Sequence, residues 1–421
     1  MRKRLLFIEA NTTGTGMLAL NKARALGFAP LFLTHKPARY QGLEQTGCPT
    51  LICETNTPQA LKTTIELHVQ PAEMCGITTT SEFYLETVAL LAGDYGLVGN
   101  SPLAVARCRD KARTRLRLQE AGVAQPRFAI ISDPAEIEAG LKTSGLPCVV
   151  KPVDDTGSHD VLYCQTHAQV EAQVARILGA QTNVRGQQSA HAVLLEEFLD
   201  APEYSVETLT WQGKTTCVGV TEKQLTGFPA FVESGHIFPA PLAPEVLAEM
   251  TATVVRALEA LEISSGPTHT EVKWTARGCA IIEVNARLAG GMIPELIRYT
   301  TGRDLVEEQL KMATGQPPAQ STRSHGYAGI AFLTAAAPGL LEEIRGGEKV
   351  RALQGIAHLE VTAARGARVV PPTSSYDRLG YIIACGQTYP EVASRLQEAL
   401  ATLEFVIRPC EVDTGASTTP R

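Results

Sequence analysis

The sequence predicts a multidomain protein that combines α/β and α+β architecture, with a doubly wound parallel sheet in its first domain. Short apolar segments at residues 5–9, 30–34, 50–53, 76–78 and 97–98 alternate with helical patterns. This alternation is typical of a parallel sheet covered by helices. After residue 195 the strands follow one another more directly and the charged residues become denser, so we expect α+β architecture there.

The chain of 421 residues is long enough for about two to four domains. We expect a Rossmann-like domain at 1–104, a small subdomain at 105–195, a larger subdomain at 196–305, a C-terminal α/β part of the large domain at 306–410, and a disordered tail at 411–421. At the first boundary, Ser101 is placed to cap, and Pro102 to begin, one long helix that runs to about residue 121.

The composition indicates a folded cytoplasmic protein. Apolar residues make up 44% of the chain and charged residues 19%, which is typical of globular domains. The net charge is −6 and no block of Lys and Arg occurs, so nucleic acid is not an expected partner. No apolar stretch approaches the roughly 20 residues of a membrane span, so a membrane is not expected either. The ten cysteines form no CxxC pair and predict reduced thiols.

A glycine-containing turn at residues 11–16 follows the first strand and enters a helix. It resembles half of a dinucleotide-binding fingerprint, but Ala19 occupies the third glycine position and no ribose-binding acid follows the second strand. We therefore favour a tight turn that faces a cleft, whose amides could hold a substrate carboxylate.

Lys151 ends an apolar strand, where a lysine is costly unless an anion meets it. The loop that follows, at residues 153–161, contains Gly157 among small polar residues and can lie over phosphates. Further along, an apolar strand ends at two acids, Glu196 and Glu197, before another strand begins. A charged linker between domains is the alternative interpretation of those acids.

The residues at 268–287 predict a β-hairpin with its turn at 276–278. With that turn, Glu271 lies directly opposite Glu283, and Asn285 lies on the same face as Glu283. Opposed carboxylates repel each other unless a cation lies between them. Two carboxylates and an amide suit Mg²⁺ that is bound together with nucleotide phosphates. A solvated hairpin face is the alternative.

In their order and spacing, these elements resemble the ATP-grasp superfamily, and within it the L-amino-acid ligases, or dipeptide synthetases. The resemblance covers about residues 1–305, and the region after it looks like the C-terminal domain of the longer members. The finer likeness lies in the segments at 266–271 and 283–291. It implies an ATP-grasp fold preceded by the parallel-sheet domain, and a ligase that forms an amide bond through an acyl phosphate and releases ADP and phosphate.

The resemblance also implies roles for individual residues. ATP would be bound by Lys111, Lys151, Thr156, Gly157, Ser158, Glu196, Glu197, Phe198, Leu199 and Glu203. Magnesium, for which Mn²⁺ could substitute, would be bound by Glu271, Glu283 and Asn285. Catalytic roles fall to Arg287, Lys223 and His269. His159 and Asp160 depart from the Gly- and Ser-rich loop of many members.

The substrates are expected to be small molecules, amino acids in particular. The segment at 223–238, with Glu233 and His236, lies between the adenine hinge and the hairpin and should border the acceptor site, together with Gly290 and Gly291. A long surface loop is the alternative. Two other hypotheses are a biotin-carboxylase-like or purine-pathway ligase and a non-catalytic nucleotide-binding protein. The family makes a homodimer plausible.

Overall fold

The computed structural model describes residues 3–12, 15–225, 229, 231–319 and 325–409. The predicted tail at 411–421 lies outside these residues. The first region contains, in order, β1 (Arg4–Ile8), α1 (Thr15–Ala25), β2 (Ala29–Thr34), α2 (Leu43–Thr46), β3 (Thr50–Ile52), α3 (Pro58–His68), β4 (Met74–Thr78) and α4 (Leu85–Asp94). Its strands pair in parallel in the order β3-β2-β1-β4. The doubly wound domain is confirmed, but residues 97–98 form no strand.

The long helix expected after Ser101 is two helices, α5 (Pro102–Arg109) and α6 (Lys111–Glu120). Ser101 caps α5 by accepting a hydrogen bond from the Ala104 amide. The break occurs because the Asp110 carboxylate caps α6 and the Lys111 amide donates to the Val153 carbonyl at 2.9 Å instead of continuing α5. Lys111 therefore begins a helix and is buried, and the sequence-based expectation of a mid-helix position was wrong.

The small subdomain is an antiparallel sheet with helices on one side. Its elements are β5 (Phe128–Ile131), α7 (Ile137–Ser144), β6 (Cys148–Pro152), β7 (Leu162–Cys164), α8 (His167–Gly179) and β8 (Val193–Glu197). The strands lie in the order β5-β8-β6-β7. In the antiparallel pair of β6 and β8, Glu196 lies opposite Val149, two residues before Lys151. Lys151 and Glu196 are therefore diagonal neighbours on one face of the sheet.

The remaining elements build one large antiparallel sheet with helices against it and a smaller sheet beside it. They are β9 (Glu203–Trp211), β10 (Lys214–Leu225), β11 (Glu233–Phe238), α9 (Pro244–Ala260), β12 (Ser265–Thr275), β13 (Gly278–Asn285), α10 (Ile293–Thr301), α11 (Leu305–Ala313), β14 (Tyr327–Leu333), β15 (Gly339–Arg345), α12 (Gly347–Ala352), β16 (Ile356–Val361), β17 (Arg368–Val369), β18 (Gly380–Gly386), α13 (Tyr389–Thr402) and β19 (Glu404–Pro409). In the described residues the large sheet has eight strands, in the order β13-β12-β9-β10-β11-β14-β18-β16.

A shared hydrophobic core joins the first domain to the large sheet. Leu20 of α1 and Phe32 of β2 belong to the same buried cluster as Leu296, Leu310 and Ile330. Because this burial fixes the two units against each other, loops from both line the space between them. Among the helices in the described residues, none has the length and apolar character needed to cross a membrane.

Candidate active site

A single cavity of about 920 Å³ is lined by every residue that the sequence analysis assigned to nucleotide, metal, catalysis or substrate. Its walls come from the parallel-sheet domain, the small subdomain, the large sheet and the C-terminal strands. The turn after β1 also faces it, through Asn11, Thr12, Thr15 and Gly16. Residues that are far apart in sequence therefore share one site.

The hairpin predicted to bind metal is formed by β12 and β13, in which Glu271 is paired directly with Glu283. The predicted partnership is confirmed, although the turn is one residue shorter than expected because Thr275 pairs with Gly278. A bulge between Glu271 and Val272 restores the register. Bulges often occur beside active sites, and both carboxylates line the cavity.

The Asn285 amide faces the carboxylates of Glu82 and Glu283. With its nitrogen turned toward them, it donates to both Glu82 oxygens at 2.8 and 3.1 Å and to Glu283 at 3.1 Å. With its oxygen turned toward them, three groups present only oxygen atoms to one another, and this arrangement is stable only around a cation. Among the described residues, no group of three His, Cys, Asp or Glu side chains could hold a metal by itself. Two carboxylates and an amide oxygen are ligand types that suit Mg²⁺, and phosphate oxygens would have to supply the rest of its coordination.

Arg287 extends from the end of the hairpin to the parallel-sheet domain. Its Nε donates to Glu82 at 2.6 Å and its Nη1 to the Leu288 carbonyl at 2.9 Å. Burial alone would lower the pKa of the Arg287 guanidinium, but the Glu82 carboxylate raises it. Burial would likewise raise the pKa of Glu82, but Arg287 and the nearby Arg109 lower it. This ion pair holds a permanent positive charge beside Glu283 and Asn285.

Lys151 lies against an anion that the protein itself supplies. Its Nζ is 2.6 Å from a Glu196 oxygen, and the other Glu196 oxygen accepts a hydrogen bond from Arg115 at 2.5 Å. Burial would raise the pKa of the Glu196 carboxyl, but Arg115 and Lys151 lower it to about 2. The anion that the sequence analysis expected beside Lys151 is therefore supplied by the protein itself, as the Glu196 carboxylate. Arg115 also donates to the Ile281 and Ile282 carbonyls at 3.2 and 2.6 Å.

The segment between β8 and β9 forms one edge of the cavity. The Leu199 carbonyl accepts a hydrogen bond from the Lys273 Nζ at 3.0 Å, and that ammonium lies 5.4 Å from the centre of the Phe198 ring. Burial lowers the pKa of Lys273, although Glu203 opposes it. At the other end of the segment, the Arg127 amide and guanidinium donate to Glu197 at 3.3 and 3.1 Å. The segment is thus tied to both sheets that it connects.

Lys223 is surrounded by carboxylates on the floor of the cavity. Its Nζ lies 2.8 Å from Glu203, 2.7 Å from Glu271 and 3.1 Å from Glu233, and its side chain is 2% exposed. Burial would lower the pKa of the Lys223 ammonium, but the three carboxylates raise it well above its ordinary value. Lys223 is therefore a fixed cation in this arrangement, and it links the hairpin to β9 and β11.

His269, on strand β12 of the hairpin, is a second buried cation. Its Nδ1 contacts Glu207 at 2.9 Å and its Nε2 lies 3.4 Å from Glu271. Burial would lower the pKa of this imidazole, but Glu207 and Glu271 raise it to about 9. Burial would also raise the pKa of Glu271, but Lys223 and His269 lower it. Glu271 is consequently an ionised carboxylate with cations on two sides.

The loop at 154–160 lies over the cavity and is tied down at several points. The Lys111 Nζ donates to the Asp155 carbonyl at 2.6 Å and lies 3.5 Å from Glu283. A hydrogen bond from His159 to the Asp155 carboxylate, at 2.7 Å, raises the pKa of the imidazole. Gly157 has a φ of +70°, and Ser158 donates to the Phe231 carbonyl at 3.0 Å. Thr156, Gly157 and Ser158 all line the cavity.

The segment at 223–238 is not a long surface loop. Within its described residues, β10 and β11 form a hairpin in which Lys223 pairs with His236. Phe228, an aromatic residue of this segment, lies outside the described residues. Gly291, with a φ of +56°, packs so closely that a Cβ there would lie 2.7 Å from the His236 Nε2. Gly290 lines the same cavity.

The structure adds several charged residues that sequence reasoning missed. Glu82, Arg115, Arg185 and Arg378 contact the predicted site residues or line the cavity. Arg185 reaches from the small subdomain to the parallel-sheet domain, where it donates to the Tyr40 hydroxyl and the Ala10 carbonyl at 3.2 and 3.0 Å. Each of these contacts is long-range, and no local motif marks the residues that make them.

Two family models match the chain. A model of the ATP-grasp domain matches residues 144–295, and a model of the L-amino acid ligase C-terminal domain 2 matches residues 331–408. In three dimensions, the L-amino acid ligase from Bacillus licheniformis superposes with a TM-score of 0.81, over 97% of this chain and 99% of that one, at 23% identity. This likeness confirms the predicted ATP-grasp fold.

Curated relatives have similar sequences. An uncharacterised protein of Sinorhizobium fredii, y4rH, is 30% identical over 97% of this chain and 84% of its own length. Carnosine synthase 1 of Mus musculus is 26% identical over 58% of this chain, and the alanine–anticapsin ligase of Bacillus subtilis strain 168 is 27% identical over 58%. The chain spans 31% of that synthase and 55% of that ligase.

Proposed function

Because the chain belongs to the ATP-grasp family and carries the C-terminal domain of the L-amino acid ligases, we propose that it joins an amino acid to an amine, commonly a second amino acid. The observation that carries this proposal is the charge arrangement of one cavity. It is lined by the cations Lys111 and Lys151, by the opposed carboxylates of the hairpin and by the charged residues of β11. In the relatives, the names carnosine synthase and alanine–anticapsin ligase are consistent with such chemistry.

In the first half-reaction, a substrate carboxylate attacks the γ-phosphorus of ATP, and ADP leaves as an acyl phosphate forms. Magnesium held by Glu271, Glu283 and Asn285 would offset the charge of the phosphates. Lys111 and Lys151 supply fixed positive charge from two sides, and Arg287 supplies it from the hairpin end. Such preorganised cations stabilise the negative charge of phosphoryl transfer. ADP rather than AMP is therefore the expected nucleotide product.

In the second half-reaction, an amine attacks the acyl carbon and phosphate leaves. Arg287 remains beside the reacting group, because negative charge persists on the oxygens of the tetrahedral intermediate. Water must be excluded, since hydrolysis of the acyl phosphate would waste ATP. The contacts of Arg185 with Tyr40 and Ala10 close the cavity between the small subdomain and the parallel-sheet domain. The tight loop at 154–160 covers it from above.

The proposal is tested by measuring ADP release with each proteinogenic amino acid, alone and in pairs, in the presence of ATP and Mg²⁺. Mass spectrometry should show a new amide with one ADP for each bond. Hydroxylamine, which traps acyl phosphates as hydroxamates, should reveal the first half-reaction with a single amino acid. AMP with pyrophosphate, or ADP release only with bicarbonate and without an amide, would contradict the proposal and favour another ATP-grasp activity.

A further inference from the structure

Arg378 is a cavity-lining cation to which neither the nucleotide nor the metal assignment gives a role. It precedes β18 in the C-terminal part of the chain, and its side chain is 14% exposed. The guanidinium carbon lies 3.5 Å from the centre of the Phe332 ring. Stacking of this kind fixes the plane of the group while leaving its N–H edge free to donate.

One part of that edge is occupied and another is not. Nη2 of Arg378 donates to the Glu233 carboxylate at 2.8 Å and to the Glu233 carbonyl at 3.1 Å. Nε is buried and has no hydrogen-bond partner among the described residues. A buried donor without a partner costs free energy unless a ligand satisfies it. Both ring nitrogens of the neighbouring His236 are likewise buried and have no hydrogen-bond partner among the described residues. The Glu233 carboxylate lies 3.6 Å from the His236 Nε2, which is too far for a hydrogen bond.

The charge around Arg378 is only partly balanced. Glu233 is shared with Lys223, at 3.1 Å, and the other contacts of Lys223 lead to Glu271 of the hairpin. Arg378 is therefore connected to the hairpin through three successive ion pairs, Arg378–Glu233, Glu233–Lys223 and Lys223–Glu271. A carboxylate that is phosphorylated must lie at the hairpin and Arg287, so a carboxylate at Arg378 would be a second one that does not react.

We propose that Arg378 binds the α-carboxylate of the acceptor substrate, so that the acceptor is a free amino acid rather than a simple amine. This inference rests on the proposed ligase function. A planar guanidinium held by stacking and one ion pair is suited to bind a carboxylate through its remaining N–H groups. An amino acid bound there places its amine next to Glu233 and His236, on the side that leads toward Lys223 and the hairpin.

The test compares free amino acids with their α-amides as acceptors. The wild type should favour the free acid by tenfold or more in kcat/KM for the acceptor, the range expected for a charged hydrogen bond. Arg378→Gln should reduce that preference to about threefold or less. Arg378→Lys, which keeps the charge but not the fork, should retain part of it. The matched control is Arg298→Gln, because Arg298 also pairs with a glutamate and packs on a tyrosine but does not line the cavity.

Hydroxamate formation reports the first half-reaction without an amino acid acceptor. The ratio of amide to hydroxamate should therefore fall in Arg378→Gln and stay unchanged in Arg298→Gln. A wild type that forms neither hydroxamate nor amide would refute the ligase function itself. A wild type that forms amides without preferring the acid, or an Arg378→Gln variant that loses acid and amide acceptors equally, would overturn the role of Arg378 and leave the ligase function standing.

Discussion

Replacing Glu196 with Gln should destabilise the protein by about 3 kcal/mol. The Glu196 carboxylate is 3% exposed and lies between Arg115 and Lys151. Its pKa of about 2, against 4.5 for an ordinary glutamate, corresponds to about 3 kcal/mol at about 1.4 kcal/mol for each pH unit. Loss of one partner in a buried ion pair costs about 3–5 kcal/mol, which agrees. The amide cannot neutralise the two cations that remain.

The assay is urea unfolding at pH 7, followed by circular dichroism, with Glu197→Gln as the matched control. Glu197 is the next residue in the chain, and its partners Arg127 and Arg277 are 60% and 71% exposed, so this variant should lose less than about 1 kcal/mol. Because the folded pKa of Glu196 is depressed, its contribution is fully present above about pH 4.5 and is lost as the pH falls through about 2. Equal stabilities of the two variants at pH 7 would refute the reasoning.

Three further predictions concern residues that line the cavity. Glu283→Gln should lower the Mg²⁺-dependent kcat by more than about tenfold, which corresponds to about 1.4 kcal/mol, while the circular dichroism spectrum stays unchanged. A variant that retains more than about a tenth of the activity would contradict the metal role. Lys151→Ala should weaken ATP binding in calorimetry by about tenfold or more, whereas Lys142→Ala, at an exposed lysine, should not. The His269 imidazole, observed by NMR of labelled histidine, should titrate near pH 9. Because its folded pKa is raised, its stabilising charge is complete below about pH 6.5 and is lost as the pH rises through 9, and Glu207→Gln should lower that pKa.

The elements with local signals were predictable from the sequence. Alternating apolar segments predicted the parallel sheet, and the hairpin at 268–287 predicted the Glu271–Glu283 pair. The prediction of that pair assumed a turn one residue longer than the one in the structure, and the bulge between Glu271 and Val272 compensates for the difference. Bulges carry little sequence signal, so the correct partnership depended on a feature that the sequence pattern did not reveal.

The tertiary ion pairs could not be predicted in the same way. Glu196 and Lys151 were singled out separately, but their contact depends on the order β8-β6 in the small sheet. Arg378 approaches Glu233 only because β14 lies between β11 and β18. Sequence spacing does not specify strand order across different regions of the chain, whereas it does specify which residues share a face of one hairpin.

The continuity of the eight-stranded sheet limits how such a protein can diversify. The hydrogen-bond ladder between β11 and β14 joins the part of the chain that carries Glu233 to the part that carries Arg378. A chimera that exchanged the residues after 325 with those of a relative would have to rebuild this ladder and recreate the contact between Glu233 and Arg378. Recombination at this boundary should therefore produce mostly insoluble proteins, and acceptor preference should change more readily by point substitutions in the cavity wall.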